Sequence, residues 1–222
     1  MARIFDEKFE ATGYDESGWT ESVGSGCTID EDAATSTVSS PSGWGSKCLK
    51  LIGAAAKTNY AYNQIGNSAV RYTRIEAIFT DLSNLTSSGA CSYIGFATNN
   101  ALSVFCWILR AVHDGTNIKA QILVYYDGSA VATSSGPTLE EDTRYRFEVK
   151  WDGGRFDWKV NGISYTGGDL QSGYAQMGAI VLGGAYTTDV VAATTYLDLV
   201  AIDGADWVGA EPSSFVPRIT RF

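Results

Sequence analysis

Few residues in this 222-residue chain have the type and spacing to do covalent chemistry. The one histidine, His113, stands just before Asp114-Gly115 in a turn signal. An imidazole there sits in solvent with no buried carboxylate to orient it, which argues against Ser-His-Asp hydrolysis and against histidine-rich metal sites. The cysteines, Cys27, Cys48, Cys91 and Cys106, show no Cys-x-x-Cys spacing, so zinc and dithiol redox chemistry are disfavoured. They are either buried free thiols or disulfides, the local pairing being Cys27 with Cys48 and Cys91 with Cys106. No glycine run lies between a strand and a helix, as phosphate loops and dinucleotide fingerprints require. What remains is binding. Sugars are held by aromatic rings against their C–H faces, with amides and charged groups taking the hydroxyls. The available rings are Tyr60, Tyr62, Trp107, Tyr125, Tyr126, Tyr174 and Tyr186, and the best candidate set is Tyr125 with Arg110, Asn117, Lys119 and Gln121.

Charge narrows the partners further. The net charge is −9, which argues against nucleic acid or an anionic membrane, since phosphates must be met by a basic surface. Part of it is local, because residues 6–32 hold nine carboxylates and only Lys8 as a cation. That stretch reads either as a solvated acidic surface or as a source of oxygen ligands for Ca²⁺. No run of 18 apolar residues exists, so no membrane span is expected. The beginning, Met1-Ala2-Arg3-Ile4-Phe5-Asp6, lacks the apolar core of a classical signal peptide.

These side chains need a scaffold, and the strongest local signal for one is residues 144–162. Arg144 to Trp151 alternates with period two, as does Phe156 to Val160, and Gly153-Gly154 lies between them. Two glycines suit the tight turn that matches strand twist. The predicted hairpin pairs Trp151 with Phe156, Val149 with Trp158 and Phe147 with Val160 on an apolar face. On the other face Lys150 meets Asp157 and Glu148 meets Lys159, and this face is expected to be solvated. A one-residue slip would invert every side chain, so the register is well specified.

Further strands are predicted at Phe5–Phe9, within Gly45–Leu51 after a Pro41/Gly43 turn, and at Asn59–Gln64 with Tyr60 and Tyr62 on one face. Others are predicted over 70–82, 91–97, 103–112, 117–126, 129–133, 179–182 and 196–202. Turns at Asn99-Asn100, Asp114-Gly115 and Asp127-Gly128 make the middle of the chain a meander. With His113 facing Thr116, Trp107 meets Ile122, Phe105 meets Val124 and Leu109 meets Ala120. Arg110 then sits opposite Lys119, a mildly unfavourable pair. Gly13, Gly18, Gly24 and Gly26, with Trp19 among them, mark a long glycine-punctuated entry segment rather than a linker. About a dozen short strands with no amphipathic helix argue for an all-β fold, a two-sheet antiparallel sandwich of one domain over 1–204. Residues 205–222 read as an irregular tail that docks on the sandwich or on a neighbour.

Some of these segments come in a familiar order: Phe9-Glu10, the Gly45 to Lys50 strand, Trp151-Asp152-Gly153-Gly154 ending in Val160-Asn161-Gly162, and Tyr196 to Val200. In this the chain resembles the concanavalin A-like lectin/glucanase jelly rolls, a group that includes laminin-G-like and carbohydrate-binding modules. The resemblance implies a structural Ca²⁺ tying the opening strand to the last one, held by Glu10, Asp198 and a carbonyl near Lys47. The glucanases of this fold carry a Glu-x-Asp-x-x-Glu strand. Here Glu140-x-Asp142 is the nearest match, and Tyr145 stands where the last Glu belongs. Arg74-x-Glu76 with Gln121 resembles alginate-lyase strands, without their downstream Tyr/Lys/Gln signature. The expected function is therefore a non-catalytic lectin-like module, binding glycan or decorating a virion, such as a phage head or tail, or another extracellular particle. Its expected partners are glycans or further subunits in a homo-oligomer or larger assembly. The alternative is a polysaccharide hydrolase or lyase of the same fold.

Overall fold

The fold was obtained as a computed structural model describing residues 3–38, 43–68, 70–85, 90–97, 105–126, 129–152, 155–169, 177–184 and 193–208; for 91–97, 126, 129 and 169 it describes backbone alone. The strands within those residues are β1 (Phe5–Glu7), β2 (Thr20–Val23), β3 (Thr28–Ala34), β4 (Lys47–Ile52), β5 (Asn59–Ser68), β6 (Arg71–Asp81), β7 (Ala90–Ala97) and β8 (Phe105–His113). They continue with β9 (Ile118–Tyr126), β10 (Ser129–Thr138), β11 (Arg144–Trp151), β12 (Arg155–Val160), β13 (Ile163–Asp169), β14 (Met177–Gly184) and β15 (Thr194–Asp203). Sheet A runs β13-β12-β11-β6-β15-β4-β3, with β1 also on β15, and sheet B runs β10-β9-β8-β7-β14-β5-β2. All described pairings are antiparallel. The chain is thus a two-sheet antiparallel β-sandwich.

The β11–β12 hairpin has the register its alternation demands, Trp151 opposite Phe156, Val149 opposite Trp158 and Phe147 opposite Val160. Its turn is closed by Asp152, whose N–H bonds the Arg155 carbonyl at 3.1 Å and whose Oδ1 accepts the Arg155 N–H at 2.7 Å; Gly153-Gly154 lie outside the described residues. The six apolar side chains of this hairpin join Leu49, Ile75, Phe79, Leu197 and Val200 of sheet A, and Trp107, Leu109, Ile122, Val124, Ile180 and Leu182 of sheet B, in one inter-sheet cluster. Along one side the sandwich is also stitched edge to edge. Trp158 Nε1 donates to Ser134 Oγ at 2.9 Å, Ser134 Oγ donates to the Thr166 carbonyl, and a Cβ at Gly136 would run into the Trp158 ring.

Four expectations need correction. The β8–β9 hairpin pairs Trp107 with Val124, Leu109 with Ile122 and Arg110 with Gln121, two residues away from the predicted register. The cause is the turn: Asp114 Oδ1 accepts the N–H groups of Thr116 and Asn117 at 3.0 and 2.8 Å, while Gly115 takes φ +101°, so the loop is Gly115-Thr116. A two-residue shift preserves the faces, and the Arg110–Lys119 repulsion never arises. Second, Phe105 lies on the outer face of sheet B, because a register irregularity at Phe96/Ala97 breaks the alternation beside it. Third, the opening segment contains β2 and β3, and β13 and the continuation of β10 past Gly136-Pro137 were likewise not anticipated. Fourth, the charged face of the β11–β12 hairpin is not simply solvated, since Glu148 is 3 % exposed.

The acidic opening segment is organised from within. Glu7, fully buried, accepts N–H bonds from Phe9, Asp15 and Glu16 at 3.0, 2.9 and 3.1 Å and from the Trp19 indole at 2.9 Å. Asp15 in turn accepts the N–H groups of Lys8, Glu10 and Ala11. A buried carboxylate is tolerated only when its lone pairs are filled, and here backbone donors fill them. Cys27, Cys48 and Cys106 are in the thiol form, so neither local disulfide forms; the Cys91 side chain lies outside the described residues. After β15, Trp207 packs edge-on to Tyr72 and beneath Lys159 Nζ, 3.9 Å from its ring centre; residues 209–222 of the expected tail lie outside the described residues.

Trp151→Ala removes a fully buried indole from the inter-sheet cluster and should lower the unfolding free energy by about 3–5 kcal/mol. Urea unfolding followed by circular dichroism checks this; a loss below about 1 kcal/mol would place the indole outside the stabilising core.

Candidate functional site

Two surfaces concentrate functional side chains, and they lie on opposite outer faces of the sandwich. On sheet B the registers define a row from Tyr62 of β5 through Val181 of β14, Gly95 of β7 and Ile108 of β8 to Leu123 of β9. Glycine contributes no side chain in the middle of that row. Phe105, Ile108 and Val181 form a small buried cluster on this face, and Tyr60, Tyr62 and Tyr125, all half-buried, pack against it. Tyr60 and Tyr62 lie with ring centroids 6.3 Å apart. On the neighbouring row Arg110 donates through Nε and Nη2 to Gln121 Oε1 at 2.9 and 2.7 Å, a forked contact that holds both side chains in one orientation.

The candidate binding residues are therefore divided. Arg110 and Gln121 are joined, and Tyr125 packs against the same small cluster as Tyr60 and Tyr62, although β8, β7 and β14 lie between its strand and theirs. Lys119 follows on the same strand but is drawn to Asp114, 2.6 Å away, and Asn117 belongs to the turn at the end of the sandwich. Trp107 is buried between the sheets, and Tyr174, Tyr186 and the Tyr126 side chain lie outside the described residues. The grouping of Tyr60 and Tyr62 with Tyr125 could not be read from the chain, because β14, late in sequence, is what bridges β5 to β7.

On sheet A the outer face buries charge. Arg74 and Asp198 are 0 % exposed and Glu76 1 %. Glu76 Oε2 accepts the Trp44 indole N–H at 2.8 Å and is ion-paired with Arg144. Arg74 Nε donates to the Leu199 carbonyl at 3.0 Å, and Arg146 Nε lies 3.4 Å from Glu148. Asp198 sits at an irregularity of β15, where pairing changes from β4 to β1 and Leu199 takes φ +52°. That conformation is unusual for a bulky residue and costs about 1–3 kcal/mol. Asp198 Oδ1 accepts the Leu199 N–H at 2.7 Å, while its Oδ2 is buried without a partner. Burial pushes its pKa up to about 8, with the charges of Glu10 and Glu76 adding to the rise.

Glu10, the other expected metal ligand, accepts from Ser46 Oγ at 3.1 Å and the Lys47 N–H at 3.2 Å, and a Cβ at Gly45 would collide with its carboxylate. The carbonyls of Gly45 and Ser46 each accept a bond from Thr35. Among the described residues no three His, Cys, Asp or Glu side chains converge as a ligand group. An unfilled, buried carboxylate oxygen with a second carboxylate acting on it nevertheless suits a hard cation that takes oxygen ligands.

The fold is an antiparallel β-sandwich that known structures share. Cellulose-induced protein Cip1 superposes with a TM-score of 0.62 at 16 % identity, over 93 % of this chain and 99 % of that one. The ligand-binding domain of botulinum neurotoxin serotype D in complex with N-acetylneuraminic acid gives 0.61 at 8 % identity, over 91 % and 47 %. The receptor-binding domain of serotype G gives 0.56 at 12 %, over 92 % and 48 %. The chain thus spans about half the length of the neurotoxin domains. No protein-family model and no curated protein matches the sequence.

The Asp198 shift has a definite sign. An unfolded aspartate releases its proton near pH 3.9 and the folded one near 8, so between those values the folded state holds more protons and stability falls as pH rises. In chelator, the melting midpoint should decline from pH 5 to pH 8, with a free-energy slope from this group of at most about 1.4 kcal/mol per pH unit. Asp198→Asn, which keeps an acceptor for Leu199, should flatten the profile; equal slopes in both proteins would refute the assignment.

Proposed function

We propose that this chain is a non-catalytic, lectin-like module of the concanavalin A-like type that binds glycan across the outer face of sheet B. The grouping of Tyr60, Tyr62 and Tyr125 over the buried Phe105, Ile108 and Val181 carries this reading. Half-buried rings present apolar faces without collapsing into the core, and the Arg110–Gln121 pair offers fixed polar groups for hydroxyls. The shared fold with a sialic-acid-bound neurotoxin domain and with Cip1 supports it. Such a module serves as an adhesion or decoration subunit of a virion or other extracellular particle, working through homo-oligomers or neighbouring subunits.

One observation favours a second reading, that of a polysaccharide hydrolase or lyase: the buried charges of sheet A, since perturbed ionisable groups cluster at catalytic sites. Against it, Glu76 is committed to Trp44 and Arg144 and Glu148 to Arg146, which is the pattern of structural ion pairs. Glu140 lies in an exposed connection with Asp142, and its N–H is held by the Tyr145 hydroxyl.

A glycan array should give a saturable hit that Tyr60→Ala and Tyr62→Ala each weaken about threefold to tenfold, as expected for loss of one ring contact. Unaltered binding by both variants would move the site elsewhere. Steady release of reducing ends or unsaturated sugars from any polysaccharide would favour the enzyme, and native mass reports the assembly state.

We further propose that Glu10 and Asp198 hold a structural Ca²⁺, which would supply a fixed positive charge between the opening and last strands and engage the unfilled Asp198 oxygen. Added Ca²⁺ should then raise the melting midpoint relative to chelator, most strongly near pH 8, and Asp198→Asn should abolish the rise. An identical midpoint with and without Ca²⁺ at that pH removes the metal.

A further inference from the structure

A pocket of about 420 Å³ opens at the end of the sandwich, away from the tyrosine-bearing face, between the residues after β6, the β8–β9 turn and the β10–β11 connection. This is within the range of small-molecule sites, roughly 300–1,000 Å³. Its apolar lining is Leu82, Leu85 and Leu139, each buried, with Ile118 half-buried. Its polar lining is Ser83, His113, Thr116, Asn117, Thr138 and Glu141.

The walls are already fixed by the chain's own bonds. Leu85 N–H bonds the Leu82 carbonyl at 2.9 Å, Leu139 N–H bonds the Ile118 carbonyl at 2.8 Å, and the Leu82 N–H bonds Glu141 Oε1 at 2.7 Å. Asp114 ties the Thr116 and Asn117 amides, and His113 Nδ1 accepts the Gly115 N–H at 3.0 Å, which leaves Nε2 as the ring's other hydrogen-bonding atom. A pocket held in shape before binding loses little ordering entropy when filled.

Its charge is one-sided. Glu141 lines it, Glu140 and Asp142 flank Glu141, and Asp81 accepts the Ser83 hydroxyl at 2.9 Å. The cation on the adjoining strand, Lys119, is paired with Asp114. A ligand for this place needs an apolar face for the leucines, several hydroxyls for the Ser, Thr, Asn and His groups, and a positive charge for the carboxylates.

We propose that this pocket binds a single hydroxylated ring bearing a free amino group, a hexosamine unit, with Glu141 pairing the ammonium and Ile118, beside the exposed edges of the leucines, taking the C–H face. The site is separate from the sheet B surface and does not depend on it. It makes the chain selective for deacetylated over acetylated amino sugars at this end of the sandwich.

The test uses the full chain, isotopically labelled, titrated at about pH 6, where an amine is charged, with D-glucosamine, N-acetyl-D-glucosamine and D-glucose. Glucosamine should bind saturably and at least about tenfold more tightly than the other two, the worth of one charge-assisted contact. The shifted amides should be those of Ser83, Thr116, Asn117 and Glu141. Glu141→Gln keeps an oxygen for the Leu82 N–H and loses the charge, so it should erase the preference. Equal binding of the three sugars, no saturable glucosamine binding by the folded wild type, or a preference that survives Glu141→Gln overturns the proposal. Shifts confined to residues of sheet B's outer face also overturn it, and they would do so while supporting the sheet B surface as the glycan site.

Discussion

Between the two sheets, Trp107, Trp151 and Trp158, each 1 % exposed or less, meet in a single cluster with the phenyl rings of Phe79, Phe147 and Phe156. Everything else in the molecule is subordinate to keeping that layer closed. Alternation sends every second side chain inward, so a strand that contributes to the layer has no freedom to slip by one residue. The stitching of Trp158 to Ser134, with Gly136 bare beneath its ring, shows how far this goes, since the edge of the other sheet is shaped around one indole.

Filling the interior in this way leaves the outer faces to carry polarity, and the two sheets do so differently. The central strands β6 and β15 of sheet A are buried on both faces, yet they carry Arg74, Glu76 and Asp198. Buried charge survives only when paired. Arg144 and the Trp44 indole serve Glu76, a backbone carbonyl serves Arg74, and only half of the Asp198 carboxylate is served. The positive φ at Leu199 lets β15 change partners between β4 and β1 at the same place, so strain and unfilled bonding capacity coincide in one spot. Glu7 solves the opposite problem. Its burial also raises its pKa, but four donors surround it and a segment of acidic, glycine-rich sequence folds around the charge.

Among the described residues, the outer face of sheet B carries no comparable ion network. Its buried Phe105, Ile108 and Val181 raise half-buried tyrosines to the surface, and a forked polar contact there joins Arg110 to Gln121. This is the surface proposed to take glycan, while the pocket at the end of the sandwich is proposed to take a single sugar ring. The β8–β9 turn serves the pocket: Asn117 lines its wall, and Lys119 is drawn off the sheet surface to Asp114.

The sequence by itself determined what depends on period and nearby pairing. The β11–β12 register follows from six apolar and four charged side chains sorted by alternation, and the sandwich class follows from many short strands without helices. Tyr60 and Tyr62 share a face for the same reason. It did not determine the β8–β9 register, because one Asp114 side chain capping two amides moved the turn by one residue, an effect that composition does not reveal. Nor did it reveal β2, β3 and β13, whose short, acidic or glycine-bearing sequences are paired as strands by their neighbours. Only the tertiary structure decided which charges are buried and which rings meet. Glu148 and Lys150 are two residues apart on one face, yet Arg74 and Arg146 beside the first make it interior. Tyr125 shares one outer face and one small cluster with Tyr60 and Tyr62 because β14, more than a hundred residues after β5, enters between β5 and β7. Strand order across a sheet is fixed by closure of the whole core, and no local period encodes it.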